Sequence, residues 1–194
     1  REMLCRRLEI IRIETIVRNV VAGSLAKRTG LPEGTAIARP LVELYYKSDP
    51  LGDPMINEDH VRMLKLASPA ELAWIKRMAL KINAVLKPHM ARRGLLLVDF
   101  KLEFGRGGRR LYLGDEISPD TCRLWDSGTR ERLDKDRFRR DLGGVEEAYQ
   151  EVYRRLVGGT EPHAPGAGHP AERSQAASFS GHPRSEPTPG PPLQ

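Results

Sequence analysis

One stretch, Leu97 to Asp126 (LVDFKLEFGRGGRRLYLGDEISPDTCRLWD), constrains this chain more than any other. In it Val98, Phe100, Leu102 and Phe104 alternate with Asp99, Lys101 and Glu103. Period-two alternation puts the apolar side chains on one face of a strand and the charged ones on the other. Gly105-Arg106-Gly107-Gly108 reads as a turn, and Leu111 to Leu113 as the start of a return strand. That limb breaks its own pattern at Gly114-Asp115-Glu116 and continues to Ser118-Pro119-Asp120 and Arg123. A hairpin with one solvated face would account for ordinary strand charges. Carboxylates from two adjacent strands, flanked by Lys101 and Arg123, have in addition the makings of a site for a divalent cation and phosphates.

A length of 194 residues suits one domain, or one with a tail, and suffices for a real core. No apolar run reaches the ~20 residues of a membrane-spanning helix, and no signal peptide is evident. Cys5 and Cys122 are too few for a disulfide scaffold, so a cytoplasmic location is expected. The formal charge of +6 raises the question of nucleic acid. The basic residues are interleaved with acids, as in Asp134-Lys135-Asp136-Arg137, and aromatics make up only 6%. Stacking platforms for single strands are therefore scarce, and small anionic substrates explain the charge equally well.

In chain order, Ile10 to Val17 read as a strand carrying Glu14, followed by Arg18. Ser24 reads as the N-cap of a short helix stopped by Gly30, with Arg18 near enough to help hold an anion. Leu41 to Tyr46 form a second strand ending at Lys47, before a turn-rich loop with Asp49-Pro50 and Asp53-Pro54. Ser68-Pro69-Ala70-Glu71 is a complete helix start, with N-cap, first-turn Pro and a Glu three after the cap. Leu72, Ile75, Met78, Ala79, Ile82, Val85 and Leu86 then recur at helical spacing up to Gly94, a stripe that belongs to the core with Trp74 at its margin. A last helix follows Gly143-Gly144, with Val145, Ala148, Tyr149, Val152 and Leu156 on one face. Residues 158–194 hold eight of the fifteen prolines and three of the five histidines. Such a segment buries too little apolar area to offset chain entropy and is expected to be disordered. Its His163, His169 and His182 lack metal-ligand spacing.

LVDFKLEFG (Leu97–Gly105) and GDEISPDTCRLWD (Gly114–Asp126) strongly resemble the phosphoribosylaminoimidazole-succinocarboxamide synthase (SAICAR synthetase) family. IETIVRNVVAGSLAKR (Ile13–Arg28), DPMINEDH (Asp53–His60) and LDKDRFRRDLGG (Leu133–Gly144) match it too, in the family's order, over roughly Leu8 to Leu156. One departure is Arg12, where the family usually has Pro. The resemblance implies an α+β fold: a mixed, largely antiparallel sheet with packed helices, like the central and C-terminal part of the ATP-grasp-like SAICAR synthetase fold. It places a synthetase-like domain at 1–157 and the tail at 158–194. It further implies a small β-rich lobe with a Lys-bearing glycine-rich loop, for which nothing here corresponds, so little turnover is expected of this chain by itself.

For function the resemblance implies an ATP-dependent ligase of de novo purine biosynthesis. That enzyme joins 5-amino-1-(5-phospho-ribosyl)imidazole-4-carboxylate to L-aspartate through an acyl phosphate. By the same token Glu103 and Asp115 would hold Mg²⁺ on ATP, and Lys47 and Lys101 would neutralise phosphate or acyl-phosphate charge, Lys47 also contacting the nucleotide. Arg18, Ser24, Asp99, Arg123 and Arg139 would bind the ribonucleotide, and Glu14 would orient Arg18 or touch the substrate. Partners would be these small molecules, without nucleic acid or membrane, and a homo-oligomer is left open. Three alternatives stand beside this reading: a fragment that only binds a phosphorylated ligand or RNA, a degenerate, non-catalytic remnant, and a related carboxylate–amine ligase.

Overall fold

The core is an antiparallel sheet built on two long strands that differ in how they are buried. The computed structural model describes residues 4–158. The expected disordered tail, with its three histidines, lies outside the described residues except for Gly158. All described residues belong to the unit Arg1–His163. Strand β1 (Glu9–Val20) is rich in β-branched residues, as befits a pleated surface, and pairs with β2 (Ala36–Tyr46) on one side and β4 (Leu95–Gly107) on the other. β3 (Met55–Ile56) extends the edge beyond β2, while β5 (Arg110–Leu113) and β6 (Cys122–Asp126) both pair with β4. Each of these pairings is antiparallel, so among the described residues the sheet is antiparallel throughout and has no parallel component.

Odd residues of β1 and the even residues Phe100, Leu102 and Phe104 of β4 fill the main core, with Leu44 of β2. The opposite face carries Glu14, Ile16 and Arg18 beside Asp99, Lys101 and Glu103, in the register Glu14↔Glu103, Ile16↔Lys101, Arg18↔Asp99. Val98 departs from the expected alternation. The β4–β6 register shifts between Leu97 and Asp99, and this bulge puts Leu97 and Phe100 in the same core. Val98 instead joins a small second core with Val20, Ala22 and Trp125.

The expected turn at Gly105–Gly108 is also shorter than the sequence suggests. Pairing continues through Phe104↔Leu113 to Gly107↔Arg110, so Gly105 and Gly107 are strand residues and only Gly108-Arg109 turn. Lack of a side chain matters here for a packing reason: a Cβ on Gly105 would lie 2.8 Å from Leu8 Cβ, and one on Gly107 2.8 Å from a Tyr112 ring carbon. β5 and β6 occupy successive portions of one edge of β4. Between them the chain leaves the sheet after Gly114, whose N–H donates to Glu103 O (2.9 Å), and returns at Thr121, whose O accepts from Lys101 N (2.8 Å).

Helices cover the apolar face. Short α1 (Gly23–Thr29) follows β1, and α2 (Glu58–Met63) precedes α3 (Pro69–Ala91). α3 starts where the sequence predicts, with the Ser68–Glu71 capping box formed and Pro in its first turn. It lays Leu72, Ile75 and Ala79 on the sheet, and Trp74 meets Phe104 edge-on at 5.8 Å. Short α4 (Asp136–Arg139) and α5 (Val145–Val157) follow β6, and α5 buries Ala148 and Val152. No helix among the described residues is long and apolar enough to cross a membrane.

Candidate functional site

The charged face of β1 and β4, closed by the Gly114–Thr121 excursion, bounds a cavity of about 670 Å³. All ten residues singled out from the sequence line it: Glu14, Arg18, Ser24, Lys47, Asp99, Lys101, Glu103, Asp115, Arg123 and Arg139. Sheet parity accounts for much of this, because alternate residues of adjacent antiparallel strands share a face. The charges fall into two groups.

The first group centres on Lys101. Its Nζ lies 2.7 Å from Glu103 Oε1, 3.3 Å from Glu14 Oε1 and 3.3 Å from Asp115 Oδ2. Lys47, at the end of β2, donates to the same Glu103 oxygen at 2.8 Å. Burial pulls the Lys101 ammonium towards neutrality, but the hydrogen bond to Glu103 and the charge of Glu14 outweigh it and hold its pKa above the usual lysine value. The Lys47 pKa is raised chiefly by the hydrogen bond to Glu103. Both side chains are therefore ammonium ions at neutral pH, suited to balancing negative charge and unsuited to act as bases.

The second group is a chain of alternating guanidinium and carboxylate. Arg18, 1% exposed, donates Nε to Glu43 Oε2 and an Nη to Asp99 Oδ2, both at 2.7 Å. Its other Nη reaches Ser24 Oγ at 3.1 Å and Tyr45 Oη at 3.3 Å. Arg123 donates to both oxygens of Asp99 (3.0 and 2.9 Å) and through Nε to Asp136 Oδ2 (2.7 Å). Arg139 completes the row on Asp136 Oδ1 at 3.0 Å. Burial pushes the Asp99 carboxyl upward against the pull of Arg123 and Arg18. Asp99 thus braces two arginines and is itself 4% exposed. Arg139, about half exposed, and the outer edge of Arg123 face the cavity.

Two sequence expectations need correction. Glu14 does not orient Arg18: it sits four residues away along β1, roughly 13 Å at ~3.3 Å per residue, and it faces Lys101. Glu43 and Asp99 orient Arg18 instead. Nor is Ser24 the N-cap of α1, for it lies inside the helix after Gly23, and Ala22 caps without a side-chain bond. The Ser24 hydroxyl is recruited by Arg18, a tertiary contact that capping statistics do not see. Gly30 does end the helix, in the left-handed conformation at φ 69°.

Sequence reasoning missed Glu43, Tyr45, Asp120 and Lys135. Glu43 and Tyr45 alternate on β2 (LVELYY), but which of its faces looks at Arg18 depends on the β1–β2 register, Glu14↔Tyr45 and Ile16↔Glu43. Lys135 lines the cavity with its Nζ 3.4 Å from Asp120 Oδ1.

No cluster of three or more His, Cys, Asp or Glu able to hold a metal exists among the described residues. Glu103 and Asp115 do converge, since both contact the same Lys101 ammonium. Two hard carboxylates suit a cation that takes its remaining ligands from phosphate and water, the usual way Mg²⁺ is held. The fit requires Lys101 to yield part of Glu103.

A family model described as SAICAR synthetase matches residues 1–156. The chain belongs to the SAICAR synthetase family. It is 60% identical over 156 residues to the phosphoribosylaminoimidazole-succinocarboxamide synthase of Desulfitobacterium hafniense, a match covering 80% of this chain and 66% of that protein. It is 58% identical over 157 residues to the same-named protein of Chlorobaculum tepidum, covering 81% of this chain and 67% of the relative. The chain therefore spans about two thirds of the length of these family members. Among solved structures, the Pyrococcus horikoshii SAICAR synthetase superposes with a TM-score of 0.76 at 52% identity, covering 80% of this chain and 68% of that one. A SAICAR synthetase solved in complex with ADP gives 0.77 at 52% identity, covering 80% and 66%.

Proposed function

We propose that this chain carries the ribonucleotide-binding and carboxylate-activating face of an ATP-dependent ligase, which joins 5-amino-1-(5-phospho-ribosyl)imidazole-4-carboxylate to L-aspartate. The observation that carries the reading is the convergence of two charge groups in one cavity. One, around Lys101, suits triphosphate and metal; the other, ending at Arg139, suits a phosphorylated sugar. Family membership and the ADP bound by a related synthetase support it.

The chemistry follows from the charges. A carboxylate is a poor acyl donor, because its leaving group would be oxide. ATP therefore transfers its terminal phosphoryl to the imidazole carboxylate, giving an acyl phosphate and ADP. The aspartate amine attacks the acyl carbon, the C–N bond forms, and the C–O bond to phosphate breaks as inorganic phosphate leaves with the electron pair. The amine also loses a proton, whose acceptor is unassigned. Bringing several anions together is the main obstacle, and positioning with electrostatic neutralisation is the remedy. Lys47 and Lys101 supply fixed positive charge where the phosphoryl group passes. Glu103 and Asp115 would hold Mg²⁺, which when bound neutralises the nucleotide phosphates. Arg123, Arg139 and Ser24 would grip the ribonucleotide. Arg18 and Asp99, buried and fully engaged, hold that grip in place. Glu14 acts on Lys101, adding to the negative field that keeps it charged.

Titration calorimetry of the chain with the carboxy-aminoimidazole ribonucleotide tests the reading, beside an ADP-release assay with aspartate. Binding of the ribonucleotide by the folded chain, abolished in Arg123→Met, is the expected result. A folded chain that does not bind it would overturn the assignment. Aspartate-dependent ADP release would separate the ligase from a module that only binds.

A further inference from the structure

We propose that Glu33 is a positioning residue that sets the width of the sugar-phosphate end of the cavity. It does so by tying the start of α1 to the cationic segment that follows β6. The proposal rests on the function just proposed and names a device that acts on that same site.

Glu33 lies in the loop between α1 and β2 and does not line the cavity. Its carboxylate nevertheless meets three points of the chain. Oε1 accepts from the Gly23 N–H at 3.2 Å and from an Arg140 Nη at 2.6 Å. Oε2 accepts from the other Arg140 Nη at 3.1 Å and from Arg132 at 2.6 Å. The bidentate pair with Arg140 is the strong form of such a contact, with both orientation and distance fixed. An isolated surface ion pair contributes little. This one is different because of what it spans: Arg132 and Arg140 lie 99 and 107 residues further along the chain. Among the described residues, no backbone hydrogen bond joins residues 21–35 to residues 132–142.

Each tied segment carries one wall of the cavity. On one side is Ser24, next to Gly23, against which the Arg123 guanidinium is pressed so closely that a Cβ there would lie 2.7 Å from it. On the other are Lys135 and Arg139, which sit between Arg132 and Arg140 in sequence and project partly exposed cations at the cavity. A phosphate held from both walls needs them at a fixed separation. Loosening Glu33 lets the walls drift while leaving every group that touches the ligand intact.

The test is calorimetric binding of the carboxy-aminoimidazole ribonucleotide to the whole chain and to Glu33→Gln, Glu33→Asp, Arg140→Gln and the Glu33→Gln/Arg140→Gln pair, at fixed salt. Glu33→Gln is expected to weaken binding roughly tenfold, the scale of one charged hydrogen bond. The double variant is expected to bind no worse than the weaker single one, since both cut one link. Glu33→Asp keeps the charge but shortens the reach and restores only part of the affinity. Hydrogen exchange, read on the same samples, is expected to rise together in residues 23–29 and 132–140 of Glu33→Gln. If the parent binds and Glu33→Gln binds equally well, the latch is overturned and the proposed function stands. If the parent does not bind, both fall. Exchange that rises only within residues 31–35 also overturns the latch, whatever the affinities.

Discussion

Glu14 and Glu103 stand directly opposite one another across β1 and β4, two carboxylates in register on the same face of the sheet. Like charges so placed are repulsive in a sheet. Lys101, two residues before Glu103 on β4, reaches Oε1 of both, at 3.3 and 2.7 Å, and Lys47 adds a second ammonium to Glu103. Nothing in packing alone calls for this arrangement, since apolar residues there would avoid the repulsion altogether. Under the proposed function, a cation or polyphosphate entering the cavity would draw Glu103 and Asp115 away from Lys101 and take up part of their charge.

Lys101→Met tests this balance. Removing the ammonium leaves Glu14 and Asp115 without their nearest positive partner, at a cost of about 2 kcal/mol. For a chain of this size that is a fall of roughly 4–8 °C in melting temperature. Magnesium is expected to raise the melting temperature of the variant more than that of the parent, because it can take the place of the lost charge between Glu103 and Asp115. Thermal scans with and without MgCl₂ check both; equal magnesium responses would remove Glu103 and Asp115 as its ligands.

Arg18 makes the opposite kind of demand. It is fully buried and shared by Glu43 and Asp99, so deleting it takes one guanidinium partner from each of two buried carboxylates, leaving Glu43 to Arg28 and Asp99 to Arg123. Arg18→Met is expected to cost about 3 kcal/mol, the scale of two charged hydrogen bonds lost to carboxylates that each keep a second cation. Arg18→Lys recovers little, because one ammonium cannot satisfy Glu43, Asp99, Ser24 and Tyr45 along the directions a guanidinium fork provides. Denaturant unfolding of the two variants decides the point, and a Lys variant as stable as the parent would contradict it.

How far the sequence reaches can be seen in these same residues. Asp99, Lys101 and Glu103 were assignable to one face because strand parity is local, and the Ser68 helix start was legible because its whole capping box lies within four consecutive residues. Glu43 and Tyr45 were not, since their facing depends on a register between strands joined through α1 and a loop. The facing of Val98 is hidden from the sequence because a bulge belongs to a pair of strands, here β4 with β6, and leaves no mark on one of them alone. Ser24 looks like a cap in the sequence because capping residues are alike whether their hydroxyl serves the helix or, as here, a guanidinium from the preceding strand.

Acid should expose a different ion pair, away from the cavity. Arg106 donates to both oxygens of Glu71, at 2.6 and 3.1 Å, and holds that carboxyl down to about 2. A carboxylate whose folded-state pKa is depressed stabilises the fold above its unfolded value and loses that contribution as pH falls towards the folded one. Glu71→Gln retains the capping box, so it isolates the charge. Part of the pair is in solvent, which limits the effect to about 1 kcal/mol at neutral pH. The stability gap between parent and variant is expected to hold at pH 7, shrink below pH 4.5 and vanish near pH 2, as followed by urea titration. A gap that does not change between pH 7 and pH 3 would assign the cost to packing.

Gly23→Ala links fold and site most directly. Gly23 opens α1 at φ 54°, in the left-handed region where a side chain is strained, by roughly 1 kcal/mol or more. Its Cβ would also fall 2.7 Å from an Arg123 Nη and 3.0 Å from Cζ. A guanidinium at the free end of a flexible side chain would step aside cheaply. This one is pinned, because Asp99 holds one Nη and Asp136 holds Nε. Making room for the methyl therefore means loosening a contact to Asp99 or Asp136, and through Asp136 it disturbs Arg139. The expected outcome is a loss of about 2 kcal/mol of stability together with roughly tenfold weaker ribonucleotide binding, at ~1.4 kcal/mol per decade. Paired unfolding and calorimetric measurements read the two effects separately. If stability falls while affinity holds, the Arg123 guanidinium tolerates the shift and its contact with the ligand is not set by Gly23.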